Sequence, residues 1–200
     1  MIWRTLARAR ALSVVILLLV TAPAWAQAQQ KTIAPMSFGF DESGFLTGFG
    51  TGGTSSGDYN PILLVWHLAS DMKKYITPLR DHKGTLSFIL EPQVNPAFRP
   101  NTDIEFGIGV GLKYAFPLTE RISPYIMGSL GPQLITIQTE SQASGFNFAE
   151  VAGGGVYYYL DGKSAINLGY RFRHLSNAGF KVPNGGLNTH FGVIGYSVFF

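Results

Sequence analysis

The chain contains no cysteine, which excludes disulfide frameworks, thiolate zinc sites and cysteine nucleophiles together. It is short of charge: Asp, Glu, Lys and Arg make up 14% of its 200 residues, against about 25% in ordinary soluble domains. Beyond Val20 it lacks an apolar run long enough to cross a bilayer as a helix, and no long stretch keeps a 3.6-residue period. Glycine is abundant, with 24 residues, and so are aromatics, with 15 Phe, 9 Tyr and 3 Trp. The length suits one domain.

The formal charge of +3 invites a nucleic-acid reading, but its location removes that reading. Arg4, Arg8 and Arg10 precede the apolar stretch Ala11–Val20, and Ala24-Trp25-Ala26 offers the small-x-small pattern that a signal peptidase accepts. Residues 1–26 read as a cleaved secretory signal peptide, with residues 27–200 as the exported domain. The stretch before Pro23 falls short of the ~20 apolar residues of a spanning helix, which argues against a retained anchor. Cleavage removes three arginines and no acid, leaving 12 basic and 12 acidic residues. A neutral mature chain offers no basic stripe to a phosphate backbone, so nucleic acid is not expected as a partner.

Period two organises the exported part. In Glu105–Tyr114, Phe106, Ile108, Val110, Leu112 and Tyr114 alternate with Glu105, Gly107, Gly109, Gly111 and Lys113. The alternation recurs in Leu86–Glu91 and at the C-terminus, where His190, Gly192, Ile194, Tyr196, Val198 and Phe200 share one parity. Eight strands are predicted, near Gly44–Thr51, Tyr59–Ser70, Thr85–Val94, Asp103–Phe116, Ser123–Thr139, Phe146–Leu160, Ser164–Asn177 and Leu187–Phe200. Turn signals separate them, among them Gly52–Gly57, Asn95–Asn101, Ser141–Gly145, Asp161–Lys163 and Pro183–Gly186.

An exported chain with an even number of alternating segments meets the requirements of an all-β, eight-stranded antiparallel transmembrane β-barrel, since only closure pairs every backbone group in lipid. A soluble barrel with a ligand cavity would turn the oily faces inward; aromatics at strand ends, such as Tyr59, Tyr114, Phe146 and Tyr157–Tyr159, fit interfacial girdles better. With both termini periplasmic, Asp161–Lys163 is a periplasmic turn and Asn177–Gly186 lies outside the cell. The segment Asp71–Gly84 is long for a periplasmic connection, and the sequence supplies no reason for it.

The seventh predicted strand bears the candidate chemistry. Ile166, Leu168, Tyr170, Phe172, His174 and Ser176 share the lipid-facing parity; Ala165, Asn167, Gly169, Arg171 and Arg173 share the other. His174 and Ser176 thus project together from the top of the oily face. A hydroxyl beside an imidazole is the combination that activates a weak nucleophile by general base, although two polar groups at a headgroup boundary also need no function. Arg171 and Arg173 are expected to pair in the lumen with Glu91, Glu105 or Glu150. His190 is a spare partner near Asn188, and His67 and His82 suggest no metal cluster. Gly53-Thr54-Ser55-Ser56-Gly57 matches the nucleophile-elbow pattern but sits between two alternating strands, where that motif does not work. Gly107-Ile108-Gly109-Val110-Gly111 fails the dinucleotide pattern at Leu112.

The run Arg171-Phe172-Arg173-His174-Leu175-Ser176-Asn177-Ala178-Gly179, followed by Pro183-Asn184, resembles the signature of the PagL-type lipid A deacylases, eight-stranded outer-membrane barrels that hydrolyse the ester at the 3-position of lipid A. The resemblance implies Ser176 as nucleophile, His174 as base, Asn177 in the oxyanion hole and Asn184 in support, facing the outer leaflet. It implies lipid A, or lipopolysaccharide, as substrate among the membrane lipids, with no metal or cofactor, and is compatible with a homo-oligomer. Lys181 is placed to meet a lipid A phosphate. One position departs from the pattern: the family's acid, twelve residues after the serine, is here Asn188. An amide can orient an imidazole but cannot stabilise an imidazolium as a carboxylate does; Glu150 on the neighbouring strand is the candidate substitute acid. A non-catalytic barrel for adhesion or envelope integrity, and an acyltransferase, are the competing functions.

Overall fold

In the computed structural model residues 39–54 and 57–200 are described; the expected signal peptide lies outside them. The strands are β1 (Glu42–Thr54), β2 (Gly57–Tyr59), β3 (Ile62–Asp71), β4 (Thr85–Ala97), β5 (Asp103–Ala115), β6 (Ile122–Ile135), β7 (Gly145–Tyr159), β8 (Ser164–Ser176) and β9 (Leu187–Phe199). Short β2 leads into β3 across Asn60-Pro61, so together they form the second of eight barrel strands. Pro61 has no N–H for the ladder, and it keeps an isolated bridge to Ala97 and a carbonyl that accepts from Gly50 N at 2.8 Å. Each barrel strand pairs antiparallel with the next, and β1 pairs with β9 from Glu42↔Phe199 to Thr51↔His190, closing the sheet.

The register gives the barrel its tilt. Stepping across partners from Glu42 through Ala69, Ile89, Gly111, Ser129, Val151 and Arg173 leads to Thr189, whose hydroxyl lies beside Gly52. The circuit therefore climbs from Glu42 to Gly52 on the same strand, a stagger consistent with strands tilted by ~40°.

The two faces are inverted relative to a water-soluble barrel. Phe45, Phe49, Trp66, Phe106, Ile126, Leu134, Leu168 and Ile194 face outward and exposed, whereas Glu42, Glu91, Glu105, Lys113, Arg171 and Arg173 are buried inside. A continuous apolar belt on such a scale is stable against lipid and not against water, so the soluble-barrel alternative falls. Two ion-paired groups fill the interior. Arg171 meets Glu91 through two bonds of 2.8 Å, and His67 Nδ1 adds a third contact to Glu91 at 2.6 Å. Lys113 joins Glu42, His67 and Tyr157. Nearer the other rim, Arg173 binds Glu105 at 2.6 and 3.2 Å and lies over the Phe191 ring, while Tyr59, Asn95 and Gln133 complete the shell of Glu105. The lumen pairing expected of both arginines is thus realised, with Glu91 and Glu105 as the partners and not Glu150. The gap left between Glu91, Arg171, Arg173 and Phe191 is about 10 Å³, at the lower limit for one water, and the wall encloses no channel there.

Several strand bounds differ from expectation, and β4 continues to Ala97, into the stretch expected to turn. β1 and β2 extend past the rim as a hairpin, with Thr54↔Gly57 and Gly53↔Asp58 paired. This hairpin is no strand-to-helix turn, although Ser55 itself lies outside the described residues. β6 stops at Ile135 instead of continuing to Thr139, because its partner Glu105 is near the start of β5 and Ile135↔Gly145 closes the other side. The long Asp71–Gly84 connection contains two 3₁₀ turns, Met72–Lys74 and Thr77–Leu79, the first capped by Asp71. Lys74 there pairs with Asp41, and that carboxylate holds the ammonium pKa above its ordinary value. At the same rim Asp161 accepts from Lys163 N and Ser164 Oγ, which makes 161–163 the expected tight turn. Both strand termini lie at this end, opposite Ser176.

Replacing one member of a buried ion pair leaves its partner uncompensated, at a cost of about 3–5 kcal/mol. Glu105→Gln is expected to lower the unfolding free energy of the refolded barrel by that order, read from urea titration in detergent, while Asp161→Ala at the exposed turn is expected to change it by less than about 1 kcal/mol.

Candidate active site

The outward parity of β8 and β9 brings the site together. On β8, apart from Ser164 at its start, the buried positions are Ala165, Asn167, Arg171, Arg173 and Leu175, so His174 and Ser176 point outward as expected. His174 is registered opposite Asn188 of β9 on one side and opposite Glu150 of β7 on the other. Its Nδ1 lies 2.6 Å from Asn188 Oδ1. An amide oxygen can only accept, so Nδ1 carries the proton and Nε2 presents its lone pair. That is the tautomer a general base needs. The hydroxyl of Ser176, half-buried and registered opposite Phe148, has no hydrogen-bond partner among the described residues and is free to rotate.

The loop after Ser176 is built around Asn177. Buried to 1% exposure, its Oδ1 accepts from Gly179 N at 3.0 Å and its Nδ2 donates to Lys181 O at 2.8 Å and Pro183 O at 3.3 Å. Ala178 (φ 54°) and Gly179 (φ 83°) are left-handed, a conformation natural to glycine and costly for alanine. Asn177 N donates to Asn184 Oδ1 at 2.8 Å, which leaves Asn184 Nδ2 without a protein acceptor among the described residues. The two asparagines therefore differ: Asn177 spends its amide donors on the loop, and exposed Asn184 keeps a free one beside the residue that follows Ser176. The loop is fastened to the β6–β7 connection, where Ala143 N donates to Pro183 O at 2.9 Å and Gly186 N to buried Gln142 Oε1 at 3.0 Å. Lys181 Nζ reaches Ser144 O at 3.2 Å.

Three contributors are not singled out by the sequence. Gly186 has φ 84°, and a Cβ there would lie 2.4 Å from His174 Cε1, so its bareness lets the imidazole sit where it does. Gln142 anchors the loop from a stretch that reads only as a turn. Phe180, 75% exposed, joins Phe148 in an aromatic collar with ring centroids 6.4 Å apart. His190, in contrast, is engaged by Tyr170 and stacks on Phe172, and so does not serve His174.

Below the site, an open apolar furrow of about 570 Å³ runs along the wall, lined by Thr47, Phe49, Ile62, Leu168, Gly192 and Ile194 among others. It exists because Gly192, outward and four positions along β9 from Asn188, places no side chain between its partners Tyr170 and Phe49. A larger furrow of about 680 Å³ lies on the wall of β1 and β3–β6, lined by Trp66, Pro92, Ile108 and Pro132; no nucleophile or base borders it. Gly186→Ala is expected to displace His174 and lower activity by at least about tenfold with little loss of folded barrel, measured by turnover alongside the heat-modified mobility of the folded protein in gels.

No curated protein sequence matches the chain. Among solved structures, Neisserial surface protein A is similar in fold, with a TM-score of 0.61, 15% identity and coverage of 82% of this chain and 100% of that one. The outer membrane enzyme PagL is similar with a TM-score of 0.56, 18% identity and coverage of 80% and 99%. Likeness at such identities establishes the barrel alone. The model of the family described as lipid A 3-O-deacylase (PagL) matches residues 63–197, a span that includes the His174–Asn188 contact, and the chain belongs to that family.

Proposed function

We propose that the protein hydrolyses the ester that holds an acyl chain at the 3-position of lipid A, with Ser176 as nucleophile and His174 as general base. The family and the closed wall make it an integral outer-membrane barrel of the lipid A deacylases. The observation that carries the mechanism is the 2.6 Å contact of His174 Nδ1 with Asn188, which leaves Nε2 basic two residues from a free serine hydroxyl on the same outward face.

Rotation about the Ser176 Cα–Cβ bond brings Oγ toward Nε2, a contact of the kind that tightens when substrate binds. Oγ attacks the acyl carbonyl as its proton passes to Nε2, and the tetrahedral oxyanion takes a hydrogen bond from Asn184 Nδ2. Asn177 holds the loop that supports this donor; a direct share in the oxyanion hole requires it to release Lys181 O or Pro183 O. Collapse expels the sugar 3-oxygen, which recovers the proton from His174. Water, deprotonated by Nε2, then attacks the acyl-serine; the acyl–Oγ bond breaks, Ser176 Oγ takes the proton back from His174, and a free fatty acid leaves. The site faces the outer leaflet, where lipid A is held in the same plane as the dyad, so the furrow below Asn188 can take the acyl chain and no deep pocket is needed. Lys181 at the rim is placed for a lipid A phosphate as a point charge.

Mass spectrometry of lipid A from cells expressing the protein tests this reading. Loss of one acyl mass, abolished in Ser176→Ala and His174→Ala with rates down by at least ~10³-fold, supports it; an unchanged spectrum beside a folded barrel contradicts it, and a gain in acyl mass indicates transfer to another lipid. A Cβ at Gly192 would meet nothing within 4 Å, so Gly192→Leu is expected to fold normally yet slow the release of long chains more than short ones, in a kcat/KM series over acyl length.

A further inference from the structure

The family's acid is replaced by neutral Asn188, so the hydrogen bond that orients His174 brings no charge to balance the imidazolium formed when Ser176 gives up its proton. The opposite neighbour of His174 supplies one. Glu150 is its registered partner on β7, and directly opposed residues of an antiparallel pair have Cβ atoms about 4.5–5.5 Å apart. Glu150 is exposed on the outward face. Among the described residues of β1 and β3–β9, it is the one charged side chain of outward parity, since Glu42, Glu91, Glu105, Lys113, Arg171 and Arg173 are buried inside and Asp71 and Asp103, at strand ends, share the inward parity of Ala69 and Glu105. No cation, hydroxyl or amide of the described residues bonds to its carboxylate.

A lone carboxylate on a lipid-facing wall is unfavourable unless it serves a partner, and here it adjoins an imidazole. We infer that the role of the missing acid is divided between two residues: Asn188 fixes the tautomer and orientation of His174, and Glu150 supplies the negative charge that stabilises its protonated form. This rests on the assignment of Ser176 and His174 above. Glu150 touches no reacting atom and acts through His174 as a positioning residue. The effect is Coulombic, between a carboxylate and an imidazole on adjacent strands. The other groups facing His174 are uncharged or occupied: Asn188 from β9, Ser176 and Phe172 from β8, Gly186 from the loop, and His190, diagonally placed and held by Tyr170.

The test is the pH dependence of kcat/KM for refolded barrel acting on lipid A in mixed micelles, for the parent, Glu150→Gln, Glu150→Lys, and Glu150→Gln combined with Asn188→Glu. A carboxylate beside an imidazole favours the protonated ring, so the profile reports loss of that charge. Glu150→Gln is expected to reduce the maximal kcat/KM by about 10- to 100-fold and to move the acid limb to lower pH. Glu150→Lys goes further in both, and Asn188→Glu restores most of the rate lost in Glu150→Gln. All variants are expected to show the heat-modified mobility of a folded barrel. Parent-like rate and acid limb in both Glu150 variants, in a protein that Ser176→Ala inactivates, overturns the inference and leaves the nucleophile standing. Undiminished activity in Ser176→Ala overturns the nucleophile assignment itself.

Discussion

Within hydrocarbon a backbone N–H or C=O left without a partner costs several kcal/mol, and the β1–β9 pairing is what removes that cost from the last two edges of the sheet. Everything else follows from closure. A closed wall with a fixed stagger forces every side chain either into a narrow lumen or out into lipid, and the period of two leaves no third choice. The lumen cannot hold charge unless it is paired, so Arg171 finds Glu91 and Arg173 finds Glu105. With the interior filled, the barrel does not take its substrate through its centre.

Chemistry is therefore displaced to the outside, where a barrel ordinarily has only apolar surface. The register of β7, β8 and β9 aligns Glu150, His174 and Asn188 across three neighbouring strands, and the turn organised by Asn177 ends β8 immediately beyond Ser176. Rigid strands thus hold the proposed base and its partners, and a fastened loop holds the proposed oxyanion donor. This division suits a substrate already confined to two dimensions: lipid A needs a catalytic edge on the wall and a furrow for one chain.

Much of this was legible in the sequence because alternation is a local property. The outward placement of His174 and Ser176, the inward placement of Arg171 and Arg173, and all eight strands emerge from parity alone. What was not legible depends on register between distant segments. Gly186 reads as a turn glycine until the strand pairing sets it against His174, and Gln142 looks ordinary until the two rim loops meet. The end of β6 at Ile135 is dictated by where β5 and β7 begin: beyond it Thr136 still bonds to Ile104, but Thr139 turns back on Gln142. The Asp71–Gly84 connection carries 3₁₀ turns too short to leave a periodic signal. Which of Asn177 and Asn184 keeps a free amide donor is likewise a matter of what the loop consumes.

The central claim is that a serine on the lipid-facing wall of a closed barrel is a competent nucleophile. It is tested most directly by treating the refolded barrel with a lipophilic fluorophosphonate and mapping the adduct by peptide mass spectrometry. The account predicts a single phosphonylated residue, Ser176, with labelling lost in His174→Ala. An unlabelled Ser176 in folded protein, or an adduct that persists without His174, would contradict it.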